Sequence, residues 1–104
     1  MPEDSGDSGA LHRFEFHFQE GFLGQKIDLL VEGKLRASFK AKTRFQTGLA
    51  HIEPLMLHNG EEVVIRQEGK DKAFRVDQGK PFVTLGISDG TLTIDGREQS
   101  PGYL

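Results

Sequence analysis

At 104 residues, with 13 bases, 16 acids and no cysteine, the chain can build one hydrophobic core and cannot hold two enzymatic domains. The missing cysteine excludes disulfides and thiolate metal sites. No stretch approaches the roughly 18 apolar residues of a membrane helix, and no basic cluster precedes an apolar run at the start, so a cytoplasmic protein with no membrane partner is expected.

Residues 1–10, MPEDSGDSGA, hold three acids, no base, and otherwise mostly Gly, Ser and Pro. Such a segment cannot bury enough surface to offset its ordering entropy, so it is expected to be a disordered acidic tail preceding a single domain over 11–104. Glu3, Asp4 and Asp7 also account for the formal charge of −3, leaving a body in which thirteen bases face thirteen acids. A neutral body argues against a nucleic-acid partner.

The first strand is expected over 13–19. Phe14, Phe16 and Phe18 alternate there with Arg13, Glu15, His17 and Gln19, the pattern of a half-buried strand. A saccharide platform would use Trp or Tyr, whose polar edges tolerate water, and the chain has no Trp and one Tyr, Tyr103.

Strands over 25–32 and 34–43 flank Glu32-Gly33-Lys34. Read as a three-residue loop, this sets Val31 opposite Leu35, Leu29 opposite Ala37 and Ile27 opposite Phe39, all on one buried face. A two-residue Glu-Gly turn would pair Leu30 with Leu35 and Leu29 with Arg36; the first register buries more. The alternation then carries Leu35, Ala37, Phe39, Ala41, Thr43 and Phe45 on one side. Lys34, Arg36, Ser38, Lys40, Lys42 and Arg44 fall on the other, at a spacing of about 7 Å. Such a row could meet phosphates, carboxylates or an acidic polysaccharide. Its ordinary explanation is a solvated face that discourages edge pairing, with Asp28 and Glu32 as partial counter-charges.

The stretch over 49–57 fits no single alternation, and Pro54 argues for an edge position or a bulge. Strands over 62–68, 72–77, 82–87 and 91–95 follow, with turn signals at Asn59-Gly60, Gly69-Lys70-Asp71, Gly79-Lys80-Pro81, Asp89-Gly90 and Asp95-Gly96. About eight short strands and no helical period predict an antiparallel β-sandwich of immunoglobulin-like type, with a small β-barrel as the alternative.

The histidines His12, His17, His51 and His58 have no metal-site spacing; the five-residue step from His12 to His17 turns them to opposite faces of one strand. No metal or cofactor is expected. There is no Gly-x-Ser-x-Gly elbow, no His-Glu-x-x-His, no phosphate-binding glycine loop and no Cys nucleophile, so no enzyme is expected either. The chain reads as a non-catalytic interaction or accessory module that binds another protein. The alternative is a module for an anionic small molecule or polysaccharide held by Arg36, Lys40, Lys42 and Arg44.

Overall fold

The computed structural model describes residues 10–102, so the acidic segment, apart from Ala10, and Tyr103 lie outside the described residues. Eight strands follow in chain order: β1 (Leu11–Phe18), β2 (Leu23–Val31), β3 (Lys34–Lys42), β4 (His51–His58), β5 (Glu62–Gln67), β6 (Lys70–Arg75), β7 (Phe82–Ser88) and β8 (Thr91–Arg97). They form two four-stranded sheets, the first in the order β4-β1-β7-β8 and the second in the order β3-β2-β5-β6. Two separate sheets make a sandwich and set the barrel aside. They give no support to an immunoglobulin-like order, in which the first two strands share a sheet. The first sheet is also mixed, because β1 runs parallel to β7, with Phe16 opposite Val83.

The phenylalanine row faces the core: Phe14, Phe16 and Phe18 are fully buried, and Phe22, Ile27, Leu29, Ile65, Val83 and Leu85 pack around them. Alternation decides this, since a single-residue slip would turn three rings into water.

Three hairpins, β2–β3, β5–β6 and β7–β8, are closed by the same device. Glu32-Gly33, Glu68-Gly69 and Asp89-Gly90 each form a two-residue turn with both φ angles between 50° and 77°. Paired positive φ values give a turn whose twist matches the flanking strands, and glycine at the second position makes it affordable. The three-residue loop expected at Glu32-Gly33-Lys34 is therefore corrected: Val31 opposes Lys34, and Leu30 opposes Leu35. A bulge at Arg36 then absorbs one residue, so Leu29 still meets Ala37 and Ile27 still meets Phe39. Burial of the Ile27–Leu29–Val31 face wins over uninterrupted pairing. Leu35 is 59% exposed beside Leu30 on the outer face, and Phe45, also expected inside, is 94% exposed beyond the end of β3. Asp95-Gly96, expected as a turn, lies within β8, where Gly96 opposes Val83. Pro54 sits on an edge strand, β4, as its missing donor requires.

Candidate functional site

The bulge divides the expected cation row. Lys40 and Lys42 stay on the outer face of β3 with Ser38, whose hydroxyl donates to Asp28 Oδ1 at 2.6 Å. Arg36 leaves the row. As the extra residue of the bulge it reaches across the open edge of the sandwich, where Nη2 donates to the Met56 carbonyl of β4 at 3.1 Å. Lys34, paired with the inward-facing Val31, leaves it too.

Arg44 is held by the turn that follows β3. Thr43 fastens the start of that turn: its hydroxyl donates to the Gln19 carbonyl at 2.6 Å and accepts from the Phe22 amide at 2.9 Å. The Arg44 amide donates to the Leu49 carbonyl at 3.0 Å, and the Gly48 amide donates back to the Arg44 carbonyl at 2.8 Å. With its backbone so tied, the turn directs Arg44 and Phe45 outward. Lys40, Lys42, Arg44, Phe45, Gln46 and Ala50 then line an open depression of about 600 Å³. Three of the four expected residues thus come together, and Phe45 joins them.

The charges there form no ion pairs with described residues. Among the described residues Lys40, Lys42 and Arg44 have no ion-pair partner, and Lys26 lies directly opposite Lys40, a like-charge pairing that adds to the positive potential. Lys26 itself inclines to Asp28, with Nζ 4.0 Å from Oδ1. Beneath the depression the sheets close over aromatic rings. Phe39 meets Phe18 edge-on at 5.0 Å and stacks on His51 at 3.8 Å, and His51 Nε2 is 2.8 Å from Glu53 Oε1.

The histidines do not converge. His12 and His51 lie on the inner parity of β1 and β4, His58 is exposed with Nδ1 3.1 Å from the Ala10 carbonyl, and His17 is buried on the outer face of β1. His17 Nε2 lies 3.1 Å from Glu15 Oε1, and its ring meets Phe82 edge-on, so this part of the outer face is covered. Among the described residues no three His, Asp or Glu side chains come close enough to hold a metal ion. Among the described residues no helix is long and apolar enough to cross a membrane.

Alternation along β3 hid Phe45 by extending the strand through it. The stretch Thr43-Arg44-Phe45-Gln46-Thr47-Gly48 carries polar residues and a glycine, which are turn signals that release Phe45 from the apolar side. Comparison of this two-sheet all-β chain with protein-family models, with curated proteins and with solved structures returned no match.

Proposed function

We propose that the chain is a non-catalytic interaction module that takes an acidic segment of a protein partner into the Lys40–Lys42–Arg44 depression. One observation carries the reading: three cations with no ion-pair partner among the described residues line one depression with a phenylalanine that is 94% exposed. Cations alone would suit any polyanion. An exposed Phe beside them favours a peptide, which can offer an apolar side chain next to its carboxylates, over an acidic polysaccharide. Elsewhere Arg13, Arg66 and Arg97 each lie beside a carboxylate.

The test is a titration with a fluorescent peptide rich in Asp and Glu and carrying one aromatic residue. A Lys40→Glu, Lys42→Glu, Arg44→Glu triple variant should weaken binding at least ~10-fold, and the wild-type affinity should fall between about 20 and 500 mM salt as the Debye length shrinks. Phe45→Ala should weaken it ~3- to 10-fold with little salt dependence. Equal binding by wild type and triple variant, or a Phe45→Ala protein that binds a sulfated oligosaccharide unchanged and tighter than the peptide, would overturn the proposal.

A further inference from the structure

Across the β1–β2 connection from the Lys40–Lys42–Arg44 depression, the outer face of β7 and β8 bears a polar trough. The β1–β2 connection rises beside β7, held by the Gln19 amide on the Leu85 carbonyl and the Ile87 amide on the Glu20 carbonyl, both at 2.8 Å. This wall and β8 enclose a depression of about 310 Å³, into which Gln19, Thr84, Thr93, Asp95 and Arg97 face across Gly86. It continues past Asp95 and Arg97 into a wider section of about 690 Å³ bordered by Lys80, Glu98 and Ser100.

Gly86 is the telling residue. It sits in the middle of a strand, where glycine is entropically costly, and its φ is not positive. Sterics do not demand it, since a Cβ would meet only ordinary contacts, the Glu20 carbonyl at 3.6 Å and Thr93 Oγ1 at 3.8 Å. A strand-interior glycine marks close approach by another backbone or by a ligand; the Glu20 backbone lies within 4 Å of the missing Cβ, and the absent side chain keeps the floor of the trough open.

We propose that this trough binds a neutral, linear oligosaccharide. Its polar groups are planar and pre-set: Arg97 Nε donates to Thr84 Oγ1 at 3.4 Å, Thr84 Oγ1 donates to the Asp95 carbonyl at 3.4 Å, and Asp95 Oδ2 lies 4.0 Å from Arg97 Nη2. A carboxylate and a guanidinium side by side present paired acceptors and donors, as vicinal hydroxyls require. Lys80 and Arg97 balance Asp95 and Glu98, while the Glu20 carboxylate lies beside Gly48, so the trough selects against strong ions of either sign. An extended peptide fits less well. The floor strand of the trough, β7, spends its backbone groups on β1, the β1–β2 connection and β8, leaving a peptide backbone only side chains to meet there.

The experiment is an amide NMR titration of the full chain with cellohexaose, xylohexaose, mannohexaose and maltohexaose, each to about 10 mM, a range that reads the ~0.1–1 mM affinity expected of a shallow polar site. At least one should shift amides confined to 19–20, 84–88 and 93–98. Arg97→Gln should weaken that binding at least ~10-fold and Gly86→Ala at least ~3-fold, with both variants retaining the wild-type amide dispersion elsewhere. The Lys40/Lys42/Arg44 triple reversal should leave it unchanged, which separates this site from the depression on β3. The proposal is overturned if none of the four sugars gives localised shifts, if the shifts survive both trough variants, or if an uncharged extended peptide displaces the sugar.

Discussion

The two open edges of the sandwich are built alike and finished differently. At each, a cation from the second sheet crosses to a backbone carbonyl of the first: Arg36 of β3 to Met56 of β4 at 3.1 Å, and Lys72 of β6 to Leu92 of β8 at 2.9 Å. Such a side chain consumes an acceptor that an unprotected edge would offer to another strand. At the β6–β8 edge the remaining arginines are also engaged, Arg66 with Asp71 at 2.7 Å and Arg75 with the Gly60 carbonyl at 3.0 Å. At the β3–β4 edge Lys40, Lys42 and Arg44 surround Phe45 with no such partner among the described residues. The same residue types thus serve two ends. Where their donors are spent they guard an edge, and where they are left open they can recognise something.

The sharpest way to break this comparison is through the rings beneath the edges. Phe18 is fully buried against Phe22, Phe39 and His51, so Phe18→Ala should cost roughly 3–5 kcal/mol in a denaturant titration. Phe39, half-buried but stacked between Phe18 and His51, should cost about 2–3 kcal/mol, and Phe74 at the other edge about 1–2 kcal/mol. Equal losses at Phe39 and Phe74 would show that the β3–β4 edge is no better anchored than its counterpart.

Arg36→Met and Lys72→Met should each cost about 0.5–1.5 kcal/mol, and by the same amount if the two crossings are equivalent. Both should also raise self-association in sedimentation, because each frees an edge carbonyl. Smaller still is the effect of the triple Glu reversal at Lys40, Lys42 and Arg44 on stability, within about 1 kcal/mol, since exposed charges contribute little to folding.

The smallest effect separates the edges by titration. The Arg66 guanidinium, hydrogen-bonded to Asp71, holds that carboxyl below its ordinary range. A carboxyl whose folded-state pKa is depressed stabilises the fold above its unfolded pKa, and that contribution is lost as pH falls through the folded value. Carboxyl-detected NMR should find the Asp71 midpoint below the ordinary aspartate value, and Arg66→Gln should bring it up. An unchanged midpoint in that variant would remove the pairing that distinguishes the β6–β8 edge.

Strand existence was legible because alternation and acid-glycine turns mark it on both sides. Sheet membership was not, since nothing in Phe16 or Val83 announces that they will lie side by side. The β2–β3 register shows the limit most clearly. Periodicity sees the buried partners Ile27, Leu29, Ala37 and Phe39 but cannot see that a tight turn at Glu32-Gly33 leaves one residue over. The bulge that absorbs it flips Leu35 outward and sends Arg36 across the edge. Of the expected cation site, Lys40, Lys42 and Arg44 were therefore legible as a group, whereas Arg36 was misassigned by a register effect and Phe45 by an over-extended strand. The trough on β7 and β8 left only one mark in the sequence, a glycine in the middle of a strand.

The parallel pairing of β1 with β7 also sets a timetable for folding. β2–β3 and β5–β6 can close as local hairpins soon after they are synthesised, but β1 reaches one of its two neighbours only after most of the chain exists. Until then Phe14, Phe16 and Phe18 lack the flanking strand that carries Val83 and Leu85, a condition that favours slow folding and exposes an apolar strand to wrong partners. A chain stopped before Phe82 would keep those two hairpins and leave β1 unpaired on one side, so the last quarter of the sequence decides whether the first strand is ever safely buried.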